Sequence, residues 1–332
     1  MKGLKRFLCA ALIAAMLVGA SIGVAGCGAN DSADYRIGVL QVATHTALDA
    51  ARDGFIEKIN EWASTNGKTV KFELQNANGD SNNEKTMASS LVAKNCDLLL
   101  GIATSSARAL STATTKIPVL FTAVTDPVVG NVSGKNVTGT SDMAPIDEQI
   151  TLITKIVPDC KKIGLLYCGG EENSQKQAEL AIAQCEKLGI KTQTFTATAT
   201  SDIQTVVETI GSDVDAVFIP TDNLFAANIM LACNILTTKG IPVIAGEEGM
   251  CEDGEALATL GIDYKNLGIQ TAEMAIKILT GEKKPEDLPF EYYNRKTTFY
   301  INETNAEALL AKNSALKISS ADIAALEEEY SK

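Results

Sequence analysis

Four acids, Asp126, Asp222, Glu247 and Asp263, each stand shortly after an apolar run and beside polar neighbours, Thr125 before the first and Asn223 after the second. His45, Thr104-Ser105-Ser106 and Asn173-Ser174 have the same placement. Carboxylates among hydroxyls and amides can work on a molecule as acid and base, or hold it unchanged by charge-assisted hydrogen bonds. For the first, Glu247 and Glu248 are badly placed, because neighbours on a strand point to opposite faces. Asp126 with Asp222 stays open as an acid–base pair. His45 is the only histidine, and no serine or cysteine in an elbow pattern accompanies it as a nucleophile. A single histidine also excludes the clusters that hold zinc, and no GxxxxGK[ST] loop is present for ATP. No metal and no cofactor is therefore expected. Any one of these polar residues could instead be capping a helix.

The elements that carry these residues are written twice. Arg36 to Gln41 reads as a strand, followed after His45 by Leu48, Ala51, Phe55, Ile59 and Trp62 at helical spacing. Val70 to Leu74 alternates as a second strand, Asp97 to Ile102 is a buried third ending at Thr104-Ser105-Ser106, and Ile117 to Phe121 is a fourth ending at Thr125-Asp126. Lys162 to Tyr167, Lys191 to Phe195, Asp215 to Ile219 and Ile241 to Ile244 repeat that order, ending at Asn173-Ser174, Asp222-Asn223 and Glu247. The matched points lie roughly 120 residues apart, far beyond the period of a stacked repeat. Strand–helix alternation predicts an α/β chain of two similar doubly wound parallel-sheet lobes, with polar rims at the carboxyl ends of the strands. Ala256 to Leu260 is a further strand, Leu267 to Leu279 a helix, Lys296 to Ile301 a last strand, and Ala321 to Tyr330 an acidic outer helix.

Residues 1–26 read as a leader: Lys2, Lys5 and Arg6 precede an apolar run from Phe7 to Ala20, too short to span a membrane. Val24-Ala25-Gly26-Cys27 resembles the bacterial lipobox, which implies acylation of Cys27 and a tether over 27–33. Loss of the leader leaves 26 basic against 41 acidic residues, a net charge of −15. That surface repels nucleic acid and acidic lipid, so the membrane is met only through the anchor. Cys96, Cys160, Cys168, Cys185, Cys233 and Cys251 form no C-x-x-C pair and read mostly as buried thiols, with a Cys160 pairing to Cys168 or Cys185 left open.

Gly38-Val39-Leu40-Gln41 with His45, Ala123 to Pro127, Pro220 to Asn223, Ala245 to Met250 and Gly261 to Tyr264 together resemble ABC-transporter substrate-binding proteins of the tryptophan/tyrosine-transport type. The resemblance runs from Tyr35 to the end. It implies a type I periplasmic-binding-protein fold whose chain crosses between lobes three times, lobe 1 at 34–142 with 264–290 and lobe 2 at 143–263 with 291–332. It further implies a monomeric, lipid-anchored receptor on the outer face of the membrane, serving a permease and its separate ATPase and turning nothing over. The ligand implied is an aromatic amino acid; a nucleoside, a sugar or a branched-chain amino acid remains open, as does an enzyme of the cell envelope. For a zwitterion, Thr104, Ser105, Ser106 and Thr125 are the expected donors to the carboxylate, and Asp126, Asp222, Glu247 and Asp263 the candidate partners of the ammonium. His45, Asn173, Ser174 and Asn223 are expected to line the cleft.

Overall fold

The computed structural model describes residues 33–252 and 255–331; the leader, Cys27 and nearly all of the expected tether lie outside them. In chain order the strands are β1 (Tyr35–Gln41), β2 (Val70–Asn76), β3 (Leu98–Ile102), β4 (Val119–Thr122), β5 (Val137–Ser141) and β6 (Lys162–Cys168). There follow β7 (Lys191–Ala197), β8 (Ala216–Ile219), β9 (Val243–Ala245), β10 (Ala258–Gly261), β11 (Glu291–Tyr292) and β12 (Thr298–Ile301). They build two sheets of matching order, β11-β5-β4-β3-β1-β2 and β12-β10-β9-β8-β6-β7.

Each sheet is covered on both faces, which is why β3 and β8 are apolar and buried along their whole length. In the first lobe, helices Thr46–Thr65 and Tyr264–Leu279 enclose one core with Ile37, Leu98 and Leu100, while Ser81–Ala93 and Thr104–Ala113 enclose another with Leu40 and Leu99. In the second, Ile146–Ile156 and Glu172–Lys187 cover Ile163 and Phe218; Thr200–Glu208 and Ile229–Thr238 cover Val217 and Ile219. The acidic last helix, Ser320–Ser331, seats Ile323 and Leu326 on the second lobe, with Tyr330 stacked on Phe299 at 5.3 Å between ring centroids.

The fold is thus two similar doubly wound lobes joined by three crossovers. After β5 the chain passes to helix Ile146–Ile156, after β10 it returns to helix Tyr264–Leu279, and it crosses last between β11 and β12. Glu291–Tyr292 pairs parallel with Thr140–Ser141, so the first sheet runs a strand beyond the boundary expected after 290. β12 is the one antiparallel strand among those described, because it enters the second sheet straight from the other lobe without a crossover helix. Two elements escape a hydrophobicity reading. β5 (Val-Thr-Gly-Thr-Ser) is buried yet hardly apolar, its hydroxyls bonded to Thr122, Thr271 and Leu288. Helix Ile229–Thr238 buries Ile229, Ala232, Cys233 and Leu236 but leaves Met230 and Leu231 exposed, so its apolar residues extend beyond the buried stripe. All six described cysteines are unpaired; Cys160 is half-buried and the others buried.

The first lobe depends on a close helix crossing. A Cβ on Gly268 would overlap the carbonyl of Ala51, and one on Gly54 would overlap that of Lys265. Alanine is the better helix former at both positions, but backbone cannot move aside cheaply, and overpacking of this kind costs about 1–3 kcal/mol. Gly268→Ala is accordingly expected to lower the urea midpoint of unfolding, whereas Gly189→Ala, where a Cβ would meet nothing within 4 Å but φ is +73°, should cost less.

Candidate functional site: the cleft between the lobes

The carboxyl ends of both sheets meet across a cleft, and a buried chain of hydrogen bonds runs from the crossovers into it. Asp142, on the first crossover and 1% exposed, accepts from Thr125 Oγ1 at 3.0 Å and from Tyr264 Oη at 2.9 Å. Tyr264 opens the helix that follows the second crossover, so one carboxyl ties two crossovers together. Gln177 Nε2 of the second lobe donates to Thr125 Oγ1 at 3.0 Å, and its Oε1 accepts from Thr221 N at 3.1 Å. Asn173 Nδ2 and Ser174 Oγ donate to the Thr221 carbonyl at 3.1 and 3.2 Å. Gln149 Nε2 donates to the carbonyls of Gly246 and Leu260 and fixes the segment that carries Glu247.

At the outer side, His45 Nε2 lies 3.3 Å from Asn223 Oδ1 across the cleft. Asn223 Nδ2 in turn donates to Glu171 Oε2 at 2.5 Å, which leaves its Oδ1 to accept and His45 Nε2 to donate. Burial pushes the His45 pKa down to about 4, so the ring is neutral and presents Nδ1 as a sealed acceptor with no partner. Arg108 Nη1 also bridges the lobes, donating to Glu172 Oε1 at 2.8 Å and to the Gly130 carbonyl at 3.3 Å. Two recesses of ≈ 350 Å³ open from the cleft. One is lined by His45, Thr46, Ile229, Met230, Leu231 and Glu247, the other by Ser105, Arg108, Glu171, Glu172, Asn173 and Asn223.

The expected residues divide into those the cleft gathers and those spent elsewhere. Thr125, His45, Asn173, Ser174, Asn223 and Glu247 are drawn into the cleft. Thr104, Ser105 and Ser106 form the first turn of their helix rather than its cap, which is Ala103 at φ 74°; Ser105 borders the second recess, but both serine hydroxyls donate to buried Glu84. Asp126 caps the turn at Val128 and Val129, and Asp263 caps helix Tyr264–Leu279 through Asn266 N. Asp222 accepts from Cys168 N at 2.6 Å and Phe225 N at 2.8 Å, so its carboxyl braces β6 against the next turn. Asp142, Gln177, Gln149 and Arg108 were not among the expected residues. Asp142 offered a signal, an acid directly after the Thr-Gly-Thr-Ser of β5; the glutamines lie inside helices and offered none.

Burial governs the electrostatics. It pushes the Asp142 carboxyl above its usual range, against the hydrogen bonds from Tyr264 and Thr125. Asp222 is raised by burial and then by the neighbouring Glu171 charge. Glu247, 1% exposed, has no well-formed hydrogen bond on either carboxyl oxygen, and burial pushes it up to about 8 against the pull of the nearby Gly249 backbone N–H. Between its ordinary 4.5 and about 8, the folded chain holds a proton there that the unfolded chain has released. Stability therefore falls as pH rises through that window, by on the order of 1 kcal/mol per pH unit for this group. Urea midpoints of Glu247→Gln measured from pH 5 to pH 8 should decline less steeply than those of the unchanged protein.

The family model described as "ABC transporter substrate binding protein" matches residues 36–319. The tyrosine-binding protein of Clostridioides difficile strain R20291 is 33% identical over 317 residues, covering 90% of this chain and 91% of that one. Among solved structures, the ABC domain from Streptococcus pneumonia in complex with L-Trp shares 33% identity at a TM-score of 0.79, over 87% of this chain and 97% of that one. The ligand-free, open structure of a substrate-binding protein with adhesive properties from Clostridium difficile shares 35% identity at a TM-score of 0.64, over 83% and 94%. Similarity along nearly the whole described length, in sequence and in the arrangement of both lobes, has one consequence: the chain belongs to the ABC-transporter substrate-binding proteins, with the type I periplasmic-binding-protein fold.

Proposed function

We propose that this chain is the lipid-anchored receptor of an ABC importer, and that it captures an aromatic amino acid by closing its lobes on it. The observation that carries the reading is the pair of unpartnered buried groups in one recess, His45 Nδ1 from the first lobe and the Glu247 carboxyl from the second. Buried polar atoms cost free energy until a partner meets them, and a small polar solute touching both lobes meets both. Ile229, Met230 and Leu231 give the same recess an apolar wall for a side chain. Thr125, Asn173, Ser174, Asn223 and Thr221 supply further polar groups around the cleft.

Closure follows from where those contacts lie. A ligand that bonds to both lobes favours their approach, and its differential affinity for the closed form sets how far the population moves. His45–Asn223 and Arg108–Glu172 already join the lobes here, and at near-equal identity the chain fits the L-Trp complex better than the ligand-free, open relative. The lobes divide near 142, near 263 and between 293 and 297. Cys27 holds this receptor beside a permease powered by a separate ATPase, and the ligand is handed on unchanged.

Titration calorimetry against the twenty amino acids tests the substrate: heat is expected with Trp, Tyr or Phe, and none from all three would sink the aromatic class. Binding of a sugar, a nucleoside or a branched-chain amino acid instead would keep the receptor and replace its ligand. Cys27→Ala is expected to shift the protein from the membrane fraction to the medium without changing affinity, and retention at the membrane would remove the lipid anchor from the reading.

A further inference from the structure

We infer that Glu247 is the group that receives the ammonium of the captured amino acid, and that it surrenders a proton to solvent in doing so. This rests on the amino-acid reading of the cleft. The other acids named for the cleft each have at least one oxygen engaged. Asp142 takes hydroxyls on both oxygens, and Asp222 takes a backbone N–H on each. Glu171 accepts from Leu224 N on one oxygen and from the Asn223 amide groups on the other. Glu84 holds two serines, Glu172 holds Arg108, and Asp126 and Asp263 cap their turns. Glu247 alone among them is buried with no well-formed hydrogen bond on either oxygen, the Gly249 backbone N–H lying close by without the geometry of one.

Its position suits the role. Glu247 follows β9 of the second lobe, and Gly249 seats that segment against the first: a Cβ there would lie 2.9 Å from Thr46 Cβ and 3.2 Å from Glu247 Oε2. The carboxyl therefore stands where the lobes touch, in the recess it shares with His45. The charged and titratable groups acting on it or sharing its surroundings are Asp142 and Tyr264 from the crossovers, Glu248, Cys251 and Glu252 from its own segment, and neutral His45 across the recess. None is a cation. A carboxylate enclosed this way without a counter-charge is costly, so the group is held as the acid. An arriving ammonium supplies the counter-charge: the carboxyl O–H bond breaks, the proton passes to buffer, and the ammonium keeps its three N–H bonds and donates to the carboxylate.

Calorimetry of the full chain with L-tryptophan and L-tyrosine, in buffers of differing ionisation heat, reads that proton directly. About one proton released per ligand near pH 6.5, falling towards zero near pH 9, is the expected result. Glu247→Gln should abolish the release and cut a preference for tryptophan over its amine-free analogue indolepropionate from about 100-fold to below about 10-fold. Binding by the unchanged protein with no proton released near pH 6.5 would overturn the inference even if the variant failed to fold, and so would a Gln variant with full discrimination. Absence of any heat from aromatic amino acids overturns the reading beneath it, and is told apart because there is then no binding from which to count protons.

Discussion

A single buried carboxyl ties the crossovers together. Asp142 lies on the first crossover, takes the hydroxyl of Tyr264 just past the second, and takes that of Thr125 at the end of the fourth-strand loop. Removing one partner of such a network leaves the other buried and unsatisfied, which costs more than the bond itself gains. The geometry of the cleft follows from this clamp. Thr125 is oriented by Asp142, Gln177 by Thr125, and the Thr221 backbone by Gln177, so the polar rim of one lobe is registered on that of the other.

The contacts that join the lobes differ in kind. Arg108–Glu172 is a part-exposed ion pair, with side chains 34% and 39% exposed, and pairs of this sort are worth little and break readily. His45–Asn223 is a neutral hydrogen bond, 3.3 Å long. Deep in the cleft the Gln177–Thr125 bond is sealed from water. The outer links are therefore the cheaper contacts between the lobes to break, and the buried Gln177–Thr125 bond the costlier one.

Much of the fold was legible because burial on both faces forces continuous apolar runs, as in Leu98 to Ile102 and Ala216 to Ile219, and the duplication lets each half check the other. What escaped reading had a physical reason. β5 satisfies its burial by hydroxyl bonds instead of aliphatic packing, and β11 has only two residues, placed by pairing with partners 151 residues earlier in the sequence. At the site, residue type gave the neighbourhood but not the assignment. An acid behind a strand looks the same whether it caps, as Asp222 and Asp263 do, or stays uncommitted, as Glu247 does, because the difference lies in which N–H groups tertiary structure brings within reach. The serines after β3 showed the same limit: their partner Glu84 belongs to the preceding helix, and nothing local announces it.

The three crossovers also set an order of assembly. Helix Thr46–Thr65 buries its face against Tyr264–Leu279, which is synthesised roughly 200 residues later, and the first sheet awaits β11 later still. The second lobe, by contrast, takes all but one edge strand and its last two helices from a single uninterrupted stretch. A chain emerging amino end first therefore makes most of its second lobe before Tyr264–Leu279 and β11 arrive to complete the first, and the half that appears first must stay open until nearly the whole polypeptide is available.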